Sequence, residues 1–272
     1  MHATGIHPGG GPLGSNQGAD IRVTSAETAG VGAASSVTTP SIANGATRAS
    51  AREPLGPAAK QLEHAAASEA HLAWVVEESL RHGRWLNTLA LLEHIGCRKI
   101  VKSMDSRCAD LTLLRHISEE ARHALFFKEL ACRVSGGKVT DFRSEQLMCG
   151  DAARAYIQRL DHEISDVASK LLNADRQTQR LSYLCVTRAV EVRALDLYRR
   201  YEARLRLIDA PFSLRSILLE EGHHLEEMDE TLSREGFNWE AHGDAIETIE
   251  ARAFAEFLSA LGEARRALSP TD

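Results

Sequence analysis

Two short segments, Glu120-Ala-Arg-His123 and Glu221-Gly-His-His224, set a carboxylate and an imidazole three residues apart. On a helix that spacing puts both side chains on one face, a turn from each other. Each glutamate also interrupts an apolar stripe. The first stripe reads Leu113, Ile117, Glu120, Ala124, Phe127, Ala131, Val134, with His123 one turn on from Glu120. The second reads Leu214, Leu218, Glu221, Leu225, Met228, Leu232, with His224 following Glu221. A carboxylate inside such a stripe is costly unless it is paired or bound to a cation. Glu220 and His223 share the spacing, but their stripe runs through Ser213, Glu227 and Thr231, a solvated face. Glu221 and His224 are therefore the pair expected inside.

Two more acids break apolar stripes. Glu93 interrupts Leu86, Leu89, Gly96, Ile100 and Met104, and Glu191 interrupts Leu184, Arg188, Leu195 and Tyr198. Glu93 precedes Glu120 by 27 residues and Glu191 precedes Glu221 by 30. A helical hairpin turning near Ser106 or Arg107 brings the first two to one height, and a turn near Leu207 does the same for the second two. Docked together, the hairpins would crowd four carboxylates into one apolar core, which two divalent cations would neutralise. An oxygen-rich set with imidazoles suits iron, or manganese, better than zinc.

One such pair of residues arises readily by chance; two pairs with matched upstream acids do not. The metal-free alternative is a structural or interaction bundle whose acids pair with Arg98, Arg122 or Arg188. Nearby, His94 and His223 read as solvated or supporting histidines rather than ligands. Arg188, one turn before Glu191, reads as a buried counter-charge, and Tyr198, seven residues after Glu191, as a core aromatic whose hydroxyl is satisfied, with a redox role as the rival reading. Trp74 and Trp85 read as core.

The elements that must position these residues follow from composition. The chain has 272 residues, 43% hydrophobic and 26% charged, enough for one sizeable core or two small ones. Residues 1–56, rich in Gly, Ala, Ser and Thr, are expected to be disordered, and residues 57–268 to form one all-α domain. Helices are expected over about Gln61–Ser103, Asp110–Val134 (closed by Ser135-Gly136-Gly137), Ser144–Leu172 and Asn173–Arg206. The two stretches 144–172 and 173–206 could equally form one bent helix. Asp209-Ala210-Pro211 would open a helix ending at Gly236. A last amphipathic stretch, about 240–268 with Ile246, Ile249, Phe254, Phe257 and Leu261, would serve as a lid or a homodimer contact.

No apolar run approaches the roughly 18–20 residues that span a bilayer, and no secretory signal is recognisable, so no membrane partner is expected. A formal net charge of −6 argues against coating nucleic acid. Five cysteines (Cys97, Cys108, Cys132, Cys149, Cys185) without a C-x-x-C pair argue against a zinc ribbon, a rubredoxin-like module or a disulfide scaffold, and fit a reducing cytoplasm.

The order Glu93, Glu120-x-x-His123, Glu191, Glu221-x-x-His224 resembles the ferritin-like di-iron carboxylate superfamily. The resemblance covers roughly residues 65–235. It implies a four-helix bundle with a crossover helix in the 71 residues between Glu120 and Glu191 and, beyond the bundle, an additional C-terminal helix. It implies metal ligands Glu93, Glu120, His123, Glu191, Glu221 and His224. Glu119 and Glu220 would then be acids that orient the imidazoles from behind. It further implies two iron ions that activate O2 or peroxide, with an electron-donor protein, to oxidise or hydroxylate a substrate of unknown identity, in a dry pocket formed by Phe127, Leu225 and Met228. The rival within the resemblance is a ferroxidase or peroxide-reducing protein similar to ferritins and rubrerythrins. Against it stand the chain's length, its extra helices and the missing rubredoxin cysteines. Among substrate oxidisers, resemblance to tRNA-modifying hydroxylases, arylamine oxygenases or acyl desaturases stays open.

Overall fold

A computed structural model of the chain describes residues 57–103, 109–171 and 176–268. The expectation of disorder for residues 1–56, and those for a turn at Ser106 or Arg107 and a cap at Asn173 or Asp175, lie outside them. The described residues form an all-α fold without strands. Its helices are α1 (Pro57–Val75), α2 (Ser79–Ser103), α3 (Leu111–Val134), α4 (Gly150–Leu171), α5 (Arg176–Leu207), α6 (Arg215–Arg234) and α7 (Trp239–Leu268), with a 3-10 turn at Ser144–Gln146. None of them is long and apolar enough to cross a membrane.

The single helix expected over 61–103 is two. Glu78 ends the run by accepting the Leu80 N–H at 2.8 Å and the Arg81 N–H at 2.7 Å, which caps α2. Glutamate is not among the favoured capping residues, so the break carried no sequence signal. α3 starts at Leu111, next to the expected Asp110, which caps it by accepting the Leu113 N–H at 2.9 Å. At its other end the chain escapes the helix through Gly136 and Gly137, at φ 64° and 80°, a backbone region that a side chain would strain.

α2 and α3 run antiparallel. Successive contacts pair Gly83 with Ser135, Asn87 with Lys128, Gly96 with Glu120 and Cys97 with Ile117. A Cβ on Gly96 would stand 3.0 Å from Glu120 Oε2, so glycine leaves the room that this carboxylate occupies. α5 and α6 form a second antiparallel pair through Arg180–Glu235, Arg188–Asp229 and the Glu202–Leu214 backbone contact. α6 starts at Arg215, later than the Asp209-Ala210-Pro211 signal suggested, because Asp209 adopts φ 48° and the buried Glu202 holds the Leu214 N–H at 2.8 Å.

α4 packs along α5 and α7, which excludes one bent helix over 144–206. The connection before it is pinned to α2: Asn87 donates to the carbonyls of Asp141 and Gln146, both at 2.7 Å, and Thr88 donates to Met148 O at 3.0 Å. The apolar face of α7 is not free. Ile246, Ile249, Phe254, Phe257 and Leu261 are buried within the chain, against α1 and α4, so this helix belongs to the core rather than to a lid. Trp74 and Trp85 are core residues.

Candidate metal centre

Four helices converge on one buried cage. α2 supplies Glu93, α3 supplies His116, Glu120 and His123, α5 supplies Glu191, and α6 supplies Glu221 and His224; every one of the seven is buried. They form two overlapping groups. One ligand atom from each of Glu93, Glu120, His123 and Glu221 lies within 4.8 Å of the others, and the same holds for His116, Glu120, Glu191 and His224. Glu120 belongs to both. The six residues expected as ligands are therefore together, and His116 joins them.

The interior of the cage is short of hydrogen. His116 Nε2, His123 Nδ1, His224 Nδ1, Glu120 Oε1 and Glu221 Oε2 are buried with no hydrogen-bond partner. Each imidazole nitrogen nevertheless faces carboxylate oxygen. His123 Nδ1 is 3.0 Å from Glu221 Oε1 and 3.9 Å from Glu93 Oε2. His224 Nδ1 is 3.4 Å from both Glu120 Oε1 and Glu221 Oε2. His116 Nε2 is 3.4 Å from Glu120 Oε1 and 3.7 Å from Glu191 Oε1.

Outside the cage the same rings are well held. His123 Nε2–H donates to Glu220 at 2.6 Å, and His224 Nε2–H donates to Glu119 at 2.9 Å. The exchange is reciprocal: the acid preceding each inner glutamate reaches the histidine of the other hairpin. Such a bond fixes the tautomer and turns the Nδ1 lone pair inward, as a metal ligand requires. Arg122 clamps Glu220 with two contacts of 3.0 Å, and despite partial burial it and His123 keep that carboxyl below its ordinary range.

Electrostatics describe the same deficit. Burial, then the charges of Glu120 and Glu221, push the Glu93 carboxyl well above its usual range, and Tyr198 donates its hydroxyl to Glu93. Burial and Glu221 do the same to Glu191. Burial alone would lower the histidines, but Glu120 and Glu191 outweigh it at His116, and Glu221 and Glu93 at His123; both are pushed up to about 10. The three histidines around Glu120 hold its carboxyl low in spite of burial. These shifts favour protons held among the cage residues. Divalent ions would replace them, which is the donor chemistry these residues fit.

Other expected neighbours lie elsewhere. His94 is exposed and stacks on Phe142 with centroids 5.8 Å apart, because one residue beyond Glu93 is about 100° around the helix. His223 is exposed and faces Glu226 at 3.7 Å. Arg188 is no counter-charge to Glu191: its guanidinium sits 3.8 Å over the Trp239 ring and binds Asp229. Arg98 is exposed and Arg122 serves Glu119 and Glu220, so none of the three arginines neutralises the inner acids.

Beside the cage opens a cavity of about 80 Å³, floored by Glu93, Glu120, Glu191 and Glu221. Leu89, Ile157, Val186, Val190, Phe254 and Phe257 are among its walls, so α4 and α7 help to build it. Phe127, Leu225 and Met228 do not line it; Phe127 packs instead on Tyr198, with centroids 5.3 Å apart. The cations on its wall are already matched, Arg193 by Glu250 at 2.8 and 2.6 Å and Lys99 by Asp161.

His116 was legible, had the buried line been drawn through polar residues. It lies four residues before Glu120 and seven before His123, on one helical face. No family model, curated protein or solved structure matches the chain. The described residues thus hold buried acid and histidine clusters able to bind metal, an arrangement compatible with a di-iron site.

Proposed function

We propose that this chain is a non-haem di-iron oxidoreductase, built on a ferritin-like four-helix arrangement of α2, α3, α5 and α6, that uses O2 or peroxide to oxidise or hydroxylate a small apolar substrate. The observation that carries the proposal is the set of three buried imidazole nitrogens without hydrogen-bond partners, aimed among four carboxylates. Manganese is the other ion this ligand set suits. A cytoplasmic setting fits the cysteine content, and an electron-donor protein would supply reducing equivalents.

Two such ions supply, when bound, the reductive activation of oxygen or peroxide that no protein side chain provides. The chain's own residues do the rest. Glu93, Glu120, His123 and Glu221 would hold one ion, and His116, Glu120, Glu191 and His224 the other. Glu119 and Glu220 keep His224 and His123 in the ligating tautomer. Tyr198 holds a proton at Glu93 Oε1. The apolar walls exclude water and seat the substrate against the carboxylate floor, where the wall cations, already paired, offer no spare charge to a ligand. That apolar vestibule favours substrate oxidation over ferroxidase work, since a route for incoming iron calls for polar ligands along the way.

Oxygen uptake by anaerobically iron-loaded protein is the test. A substrate oxidase consumes O2 only when reductant and an apolar substrate are both supplied. Uptake proportional to added Fe2+ with neither present would replace this reading with a ferroxidase. Failure to retain any metal would leave a structural bundle.

A further inference from the structure

We propose that the two metal positions are chemically unequal and fill in order, with His116 making the position shared by α3, α5 and α6 the first to take an imidazole-preferring divalent ion. This rests on the di-metal reading above and deepens it.

The two hairpins repeat each other almost residue for residue around the cage. Glu93 answers Glu191, Glu120 answers Glu221, His123 answers His224, and Glu119 answers Glu220. The repeat breaks four residues before the inner glutamate. There α3 has His116 and α6 has Ile217, both buried. Consequently one cluster offers three carboxylates and one imidazole (Glu93, Glu120, His123, Glu221), whereas the other offers two of each (His116, Glu120, Glu191, His224).

His116 is placed as a ligand would be. It is 7% exposed, its Nε2 has no hydrogen-bond partner, and that atom lies between carboxylates of two different helices, Glu120 and Glu191. Its ring lies 4.0 Å from that of His224 at 35°, so two imidazoles address one point. Imidazole nitrogen binds the later first-row ions more strongly than carboxylate oxygen does, while oxygen sets suit manganese and magnesium. An ion such as Fe2+ or Co2+ therefore prefers the side with two histidines. The second ion then settles among Glu93, Glu120, Glu221 and His123.

Titrating the metal-free full-length chain with Co2+, followed by calorimetry and visible absorption, tests the order. Two resolved steps are expected, with affinities at least about tenfold apart, the scale on which single ligand-sphere changes act. His116→Ile copies the other hairpin and should merge the two steps; the polar His116→Gln should weaken the first step at least about tenfold and leave the second unchanged. His123→Gln should instead weaken the second. Two indistinguishable steps in the unaltered chain would overturn the inference, as would His116 variants that leave both steps intact; either result spares the di-metal reading. If the unaltered chain binds no Co2+ at all, both fall.

Discussion

The chain buries acid in two neighbouring places and treats it differently. Glu250 on α7 is 6% exposed, yet Arg193 grips both its oxygens and Tyr156 donates to it at 2.9 Å, so its charge is answered within the protein. The cage acids, of which Glu191 lies two residues before Arg193 on α5, pair with no arginine or lysine among the described residues. They face imidazole nitrogens that have nothing to bond. A buried acid with a built-in cation is architecture; buried acids that face unpartnered imidazole nitrogens have the donor chemistry of a metal site. The contrast supports the proposed metal centre over the interaction-bundle alternative, because Glu250 shows how this chain stabilises a structural acid.

Substitutions should separate the two regions most sharply. Metal at about a hundredfold over its dissociation constant should stabilise the unaltered chain by roughly 2.7 kcal/mol. Glu120→Ala or Glu221→Ala should remove that gain, read as loss of the metal-induced rise in Tm and loss of bound metal. Glu250→Ala should do the opposite. By stranding Arg193 it should cost about 3–5 kcal/mol in denaturant unfolding, with metal content per folded chain unchanged.

Acidity should divide them next. His116 and His123 have their pKa raised to about 10 from an ordinary 6.5, so their contribution is complete below about 6.5 and is lost as pH climbs through 10. The raised carboxyls of Glu93 and Glu191 act in the same direction. Metal-free protein should therefore lose stability steadily from pH 6.5 to 10 in thermal melts. Metal loading should flatten that dependence and release protons into a weakly buffered solution. A metal-free chain equally stable at both ends would show that protons do not hold the cage.

The smallest effect should come from the supports. Glu220→Ala frees His123 Nε2 and should weaken metal about 10- to 100-fold without abolishing binding. His223→Ala, on the exposed side of the same turn, should change nothing measurable. Equal losses from the two would mean that the α6 register is wrong.

Much of the cage was legible because burying a carboxylate breaks an apolar stripe, and four such breaks at matched intervals are hard to produce otherwise. Following Leu113 and Ile117 down α3 meant stepping past His116, since a line drawn through apolar residues cannot include a polar one. Arg188 sat at the right turn of α5, but its long side chain found the Trp239 ring, a contact 51 residues away that no local pattern encodes. The cavity walls contributed by α4 and α7 were hidden for the same reason, as was the burial of α7's apolar face.

Anomalous diffraction from crystals of the iron-loaded chain, recorded across the iron edge, would locate the ions outright. Two peaks are expected inside the cage, one beside His123 and Glu93 and one between His116 and His224. Density confined to surface histidines, or absent altogether, would contradict the reading of these seven residues as a metal centre.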